Sequence, residues 1–154
     1  MIRHLSVEQI LSLHQSIVGH LSDAGVRNLS ALESAVSRPA ATFDGEDLHP
    51  TLEAKAAALA SGLILGGPFV DAGRETALIA CECFLIANGA TLQATDRDLE
   101  RVAASVAAAE LSIEALGVWI RQRLRQARRR GVWAYVGPNF SSANWRIRSA
   151  RWPS

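Results

Sequence analysis

A glycine-rich loop followed directly by an apolar helix constrains this chain more than any other stretch. Residues 66–77 read GGPFVDAGRETA, and residues 74–87 carry apolar side chains at three- and four-residue spacing. Gly89 follows this periodic run as a C-terminal stop signal. We call residues 66–73 the glycine loop. Because the first N–H groups of a helix have no hydrogen-bond partner within the helix, this loop is predicted to form an anion-binding cradle at the start of the helix.

The glycine loop resembles the active-site loop of the Fic superfamily, and especially of its Doc branch, whose motif is His-Pro-Phe-x-Asp-Gly/Ala-Asn-Lys-Arg-Thr-Ala. Six positions agree with that motif: Pro68, Phe69, Asp71, Ala72, Thr76 and Ala77. Stretches on both sides extend the resemblance over about residues 1–124. The resemblance implies an all-α fold, a Fic/Doc-like helical bundle with a small β-hairpin that serves as a flap and aligns a target segment by strand pairing.

The resemblance also implies a reaction. In the Doc branch the motif His takes a proton from a target hydroxyl, the Asp and Asn hold Mg²⁺ and phosphate of ATP, and the Lys and Arg neutralise phosphate charge. Arg74 stands at the Lys position, which favours the phosphate-transferring branch over the nucleotide-transferring one. Asp71 is then both a catalytic residue and the ligand of any Mg²⁺. The implied cofactor-binding residues are Phe69, Asp71, Ala72, Gly73, Arg74, Glu75 and Thr76.

Three positions that carry the family's chemistry are changed. The general-base His falls on Gly67, the Asn on Gly73 and the phosphate-binding Arg on Glu75. Loss of a general base costs roughly 10²- to 10⁴-fold in rate. A carboxylate also repels phosphate where an arginine attracted it. The sequence therefore predicts a pseudo-enzyme that uses neither ATP nor Mg²⁺ and acts by binding another protein. The resemblance implies that this partner is an antitoxin-like protein or a second copy of the chain.

Two other functions remain open on the sequence. In the first, the protein is an active or repurposed enzyme, a phosphotransferase or nucleotidyltransferase, that binds a nucleotide or another anionic substrate in the glycine loop. Asp71 and Glu75, four residues apart, would act as a carboxylate pair, and His49 would replace the missing base. In the second, the C-terminal end binds nucleic acid.

Charge divides the chain unevenly. Residues 1–114 contain 7 basic and 15 acidic side chains, a net charge of −8, whereas residues 115–154 contain 9 arginines and no acid. All four tryptophans also lie in the second part. This pattern predicts a domain at residues 1–124 and a basic, aromatic C-terminal extension at residues 125–154. The opposite charges favour docking of the extension on residues 1–124 of the same chain or on a second copy. Aromatic side chains interleaved with arginines can also bind nucleic acid by stacking and by charge, and this is the basis for the nucleic-acid alternative.

The remaining patterns predict helices with one hairpin. Capping boxes at Ser6 and Ser30 predict helices over residues 6–23 and 29–37. A turn signal at Asp44 and Gly45 predicts the hairpin over residues 40–48. Pro50 opens the next predicted helix, which extends to residue 65. Asp96 or Asp98 caps a further helix. Ser112 caps the last predicted helix, which could continue through its arginines as far as residue 130.

The other polar and reactive residues carry no recognisable site. His14 and His20 are expected to be partly buried or solvated, since neither has a recognisable partner, and Cys81 and Cys83 are expected to be small core residues. No apolar run reaches the roughly 18 residues of a membrane span. The N-terminus also lacks a signal-peptide pattern, so a cytoplasmic location is expected.

Overall fold

The computed structural model describes residues 1–19 and 25–126. They form a helical bundle with two short antiparallel strand pairs, which confirms the predicted all-α architecture. In chain order the elements are α1 (Val7–Val18), α2 (Leu29–Ser37), a short 3₁₀ turn (Arg38–Ala40), β1 (Thr42–Phe43), β2 (Glu46–Asp47), α3 (Leu52–Gly66), α4 (Gly73–Ala87), β3 (Ala90–Leu92), α5 (Asp96–Ala107), α6 (Ile113–Arg123) and β4 (Leu124–Gln126).

Helix α3 lies at the centre of the bundle. Every residue from 55 to 63 is buried, and the helix packs against α2, α4 and α6. Its small side chains allow close approach: a Cβ on Gly62 would lie 3.1 Å from Ala35 of α2, so Ala35 would have to shift by a few tenths of an ångström to admit it. A helix that is apolar on all sides belongs in a core, and α3 fixes the position of the loop that follows it.

Side-chain caps open the helices, and one predicted capping box is confirmed. Ser6 accepts a hydrogen bond from the backbone N–H of Gln9, whose side chain accepts one from the backbone N–H of Ser6. The predicted Ser30 cap of α2 is wrong, because extended Asn28 accepts from the N–H of Ala31 and Ser30 already lies inside the helix.

The starts of two further helices also differ from the prediction. Thr51 caps α3, so Pro50 precedes the cap, and Thr95 caps α5 ahead of Asp96. In both, the threonine hydroxyl accepts a hydrogen bond from the N–H three residues later. Ser112 caps α6 as predicted.

The ends of α1 and α6 differ from the prediction. Helix α1 ends at Val18, where Gly19 takes a φ of 69°, and residues 20–23 of the predicted helix lie outside the described residues. Helix α6 ends at Arg123, and Leu124 begins a strand that pairs with Leu92 of β3. The predicted helical continuation is therefore wrong for residues 124–126. His20 and residues 127–154, with the docking and nucleic-acid predictions made for them, lie outside the described residues.

The predicted hairpin is confirmed. Asp44 and Gly45 have φ values of 52° and 81°, and positive φ at both central positions is what a two-residue hairpin turn of type I′ requires. Buried Lys55 of α3 fixes the hairpin to the bundle, because its Nζ donates hydrogen bonds to Pro39 O and to Asp47 Oδ2, each at 3.0 Å. Within the described ranges, no helix has the length and apolar character that crossing a membrane requires.

Candidate functional site

The glycine loop joins the C-terminal end of α3 to the N-terminal end of α4. A second backbone segment, residues 25–28, pairs with it: Arg27 and Asn28 donate from their N–H groups to Pro68 O at 2.7 Å and 3.2 Å. Val26 forms an isolated antiparallel bridge with Phe69. These bonds hold the loop as part of a small backbone ladder.

Two left-handed residues shape the loop. Gly67 has φ 52° and ψ 49° and ends α3, and Ala72 has φ 51° and ψ 29° and precedes α4. Alanine is rare in this conformation, because its Cβ approaches the carbonyl. The turn at Ala72 directs the chain into α4, whose first N–H groups receive no side-chain cap. This backbone is compatible with the predicted anion-binding cradle, which stays a prediction.

Thr76 is the buried polar side chain that stabilises this turn. Its hydroxyl donates to Ala72 O at 2.7 Å, and its N–H donates to the same oxygen at 3.0 Å. The side chain is fully buried. Thr76 thus locks the turn before α4 and has no exposed surface with which to touch a ligand.

His14 contacts the glycine loop, although no partner for it could be recognised from the sequence. Its ring stacks on Phe69, with centroids 4.0 Å apart and an angle of 9° between the planes. Its Nε2 lies 3.1 Å from Asp71 O, and since a carbonyl only accepts, Nε2–H is the donor. The signal in the sequence was its position four residues after Ile10 on the apolar stripe of α1, which places it on the buried face.

The charged side chains of the loop point outward. The side chain of Asp71 is 53% exposed, with Oδ1 3.8 Å from His14 Nε2. Arg74 and Glu75 are both exposed in the first turn of α4. Asp71 lies just before the N-cap of α4 and Glu75 in the first turn of that helix, so both carboxylates belong to its N-terminal end.

Gly67, the position that the resemblance aligns with the family's histidine base, has only backbone atoms. Its carbonyl accepts a hydrogen bond from Arg27 Nη2 at 3.1 Å. A Cβ built on Gly67 would lie 3.2 Å from that same nitrogen, and the positive φ disfavours any side chain there. Gly73 differs, because a Cβ on it would meet nothing within 4 Å. The two glycines are therefore under different constraints.

His49 lies far from the loop. It precedes α3, whereas the loop follows α3, and the 15 residues of that helix span roughly 22 Å. Burial, followed by the positive charges of Lys55 and Arg38, lowers the pKa of His49, while Glu114 acts in the opposite direction. The structure thus places His49 beside the base of the hairpin and does not bring it to the site of the missing base.

The loop's side chains do not fit a magnesium nucleotide. Asp71 is one oxygen donor, and no group of three His, Cys, Asp or Glu in the described residues could hold a metal. Mg²⁺ does bind through one or two carboxylates when substrate phosphates complete its shell. Here, however, Glu75 faces the same N-terminal end of α4, so a phosphate would meet a second negative charge where the family has a cation.

Two comparisons with known proteins match the part of the chain that contains this site. A family model described as the Fic/DOC family matches residues 4–85, from the start of α1 nearly to the end of α4. Toxin Doc from Mycolicibacterium smegmatis is 38% identical over 101 residues, covering 66% of this chain and 75% of that relative.

Proposed function

This chain belongs to the Fic/DOC family, and from that premise we propose that it is a Doc-type protein with an inactivated phosphate-transfer site that acts by binding another protein. The observation that carries this proposal is at Gly67. The position of the motif histidine is a left-handed glycine whose carbonyl is bonded to Arg27. No side chain is available there to take a proton from a hydroxyl.

The missing base is the first argument for inactivity. Its loss costs roughly 10²- to 10⁴-fold in rate, about 3 to 5 kcal/mol of barrier. His14 does not replace it, because its ring is 95% buried beneath Phe69 and its Nε2–H is already donated to Asp71 O. His49 stands at the other end of α3.

The reversed charge at Glu75 is the second argument. At a separation of about 5 Å in a water-like dielectric, exchanging a positive for a negative charge costs about 2 kcal/mol per phosphate charge. Glu75 is exposed, so the water-like value applies. In its present position the carboxylate instead stabilises α4, by roughly 0.3 to 1 kcal/mol, through its interaction with the helix N-terminus.

The scaffold around the loop supports a role in binding. The Thr76 bonds, the pairing with residues 25–28 and the stacking of His14 on Phe69 all maintain the loop shape without its catalytic groups. The relative is named a toxin, and for this chain we propose an antitoxin-like protein or a second copy as the partner. Size-exclusion chromatography with light scattering of the purified chain separates self-association from binding to a different protein.

The proposal is tested by a binding titration paired with a transfer assay. ATP with Mg²⁺ is titrated into the purified chain by calorimetry, and radiolabelled γ-phosphate transfer to cytosolic proteins is followed. We expect no turnover above the no-enzyme background. Tight binding together with turnover, both lost in Asp71→Ala, would show an active site and refute the proposal. Arg97→Ala, in the first turn of α5, is the control for loss of a charged side chain away from the loop.

A repurposed activity is the second candidate, and one observation favours it. Asp71 is half exposed, has an imidazole 3.8 Å behind it and shares the N-terminal end of α4 with Glu75. Such a carboxylate pair suits acid–base chemistry on a small substrate. Screening anionic substrates with wild type, Asp71→Asn and Glu75→Gln distinguishes the two candidates, because only a repurposed enzyme loses a measured turnover in both variants.

A further inference from the structure

The hairpin at residues 41–48 has an inward and an outward face. Thr42 pairs with Asp47, and Phe43 pairs with Glu46. Because Asp47 binds Lys55 Nζ, its face is the inward one. Successive residues of a strand alternate between faces, so Phe43, Glu46 and then Leu48 lie on the outward face.

This outward face is apolar with an acidic edge. Phe43 is 75% exposed and Leu48 is 55% exposed. Asp44, at the turn, and Glu46 are exposed beside them. The surface therefore suits a segment that brings aromatic side chains and positive charge together.

Residues 127–154 of the same chain have that composition. They contain six arginines, three tryptophans, one tyrosine and one phenylalanine, and no acidic residue. Residues 1–126 contain 10 basic and 15 acidic side chains, so the two parts carry net charges of +6 and −5. The charges are complementary, and the aromatic side chains provide apolar area.

The chain leaves the described structure at the hairpin's end of the bundle. β4 ends at Gln126, opposite Ala90, just after the C-terminus of α4. There Asn88 accepts a hydrogen bond from the Arg3 N–H. Burial lowers the pKa of the neighbouring His4, the charge of nearby Lys55 lowers it further, and that of nearby Asp47 raises it. Twenty-eight residues span at most about 90 Å, against a radius of gyration of about 14 Å for a domain of this size, so reach is not limiting.

We propose that residues 127–154 dock on the outward face of their own hairpin. Their aromatic side chains cover Phe43 and Leu48, and their arginines pair with Asp44 and Glu46. The proposal concerns a surface outside the glycine loop and does not depend on whether that loop is active.

Photo-crosslinking in the full chain tests the contact. Benzoylphenylalanine is placed at position 43, and at position 70 as a control, since Val70 is 56% exposed and lies in the glycine loop. A mixture of ¹⁵N-labelled and unlabelled protein is irradiated and the products are mapped by mass spectrometry. We expect crosslinks from position 43 to residues 127–154 within one chain, and few from position 70. Crosslinks that join differently labelled chains, that map elsewhere, or that do not form overturn the proposal.

A charge exchange tests the chemistry of the contact. Asp44→Asn keeps a residue that tolerates positive φ, and combined with Glu46→Lys it removes two exposed carboxylates without touching the core. Loss of two surface pairs should lower the crosslink yield by roughly two- to thirty-fold. Arg146→Glu with Arg148→Glu in the same chain should restore it. An unchanged yield contradicts the proposal, as does tight, salt-sensitive oligonucleotide binding by wild type without any crosslink.

Discussion

Substituting Gly67 by alanine should destabilise the protein, because the backbone there is left-handed. Its φ of 52° and ψ of 49° cost an L-residue roughly 1 to 2 kcal/mol. The added Cβ would also lie 3.2 Å from Arg27 Nη2, the end of a flexible side chain that can move away at little cost. The lower entropy of unfolded alanine offsets this by about 0.4 to 1 kcal/mol. The net loss expected for Gly67→Ala is therefore about 1 kcal/mol.

Gly73→Ala is the matched control in the same loop. Gly73 is the first residue of α4, its φ is not positive, and a Cβ on it meets nothing within 4 Å. Alanine should therefore stabilise the protein by about 0.4 to 1 kcal/mol. Urea denaturation monitored by circular dichroism gives both free energies of unfolding, and the two variants should move in opposite directions from wild type.

The result that would refute this reasoning is equal stability of the two variants, or a Gly67→Ala variant more stable than wild type. Either result would mean that residue 67 is not held in the left-handed region. The outcome also bears on function, because a histidine at position 67 would face the same backbone cost. A confirmed loss would mean that a histidine regained at this position lowers the stability of the protein by about 1 kcal/mol.

Three further predictions concern the residues that maintain this structure. Thr76→Val should cost about 0.5 to 1.5 kcal/mol in urea denaturation, since one hydrogen bond to Ala72 O is lost from a buried site, and unchanged stability would contradict that role. Lys55→Met should speed amide exchange in residues 41–48 by freeing Asp47, whereas exchange in α4 should not change. Burial, with smaller effects from Glu82 and Cys83, raises the pKa of Cys81 from 9.0 to about 12. Between pH 9 and about pH 12, unfolding therefore releases a proton from Cys81, so the free energy of unfolding should fall as the pH rises through this range. The fall should be less steep in Cys81→Ala.

Local signals predicted the parts of the fold that depend on neighbouring residues. The Ser6 and Gln9 capping box and the Asp44-Gly45 turn each involve residues at most three apart, and both are confirmed. The cap of α2 was misplaced because Asn28 and Ser30 are both good caps, and only the backbone at Asn28 decides between them. The loop resemblance, which rests on a longer motif, is also confirmed at the level of the family.

Long-range contacts explain what the sequence did not predict. β4 pairs with a strand 34 residues earlier, and three residues are too few to show an alternating pattern. His14 contacts Phe69 and Asp71, which follow it by 55 and 57 positions in the chain. No local sequence motif could therefore predict its role. The position of His49 at the far end of α3 likewise depends on the length and direction of that helix. The interpretation that the base is missing and a charge reversed rests on the motif, which assigns each family residue to a position of this chain.

Growth of bacteria expressing this protein tests the central claim most directly. Wild type is compared with a chain in which Gly67→His, Gly73→Asn and Glu75→Arg are combined, and with the same triple variant carrying Asp71→Ala. If the fold is kept and only the catalytic side chains are lost, we expect normal growth with wild type, growth arrest with the triple variant and recovery when Asp71→Ala is added to the triple variant. Arrest by the wild-type chain that Asp71→Ala abolishes would contradict the account.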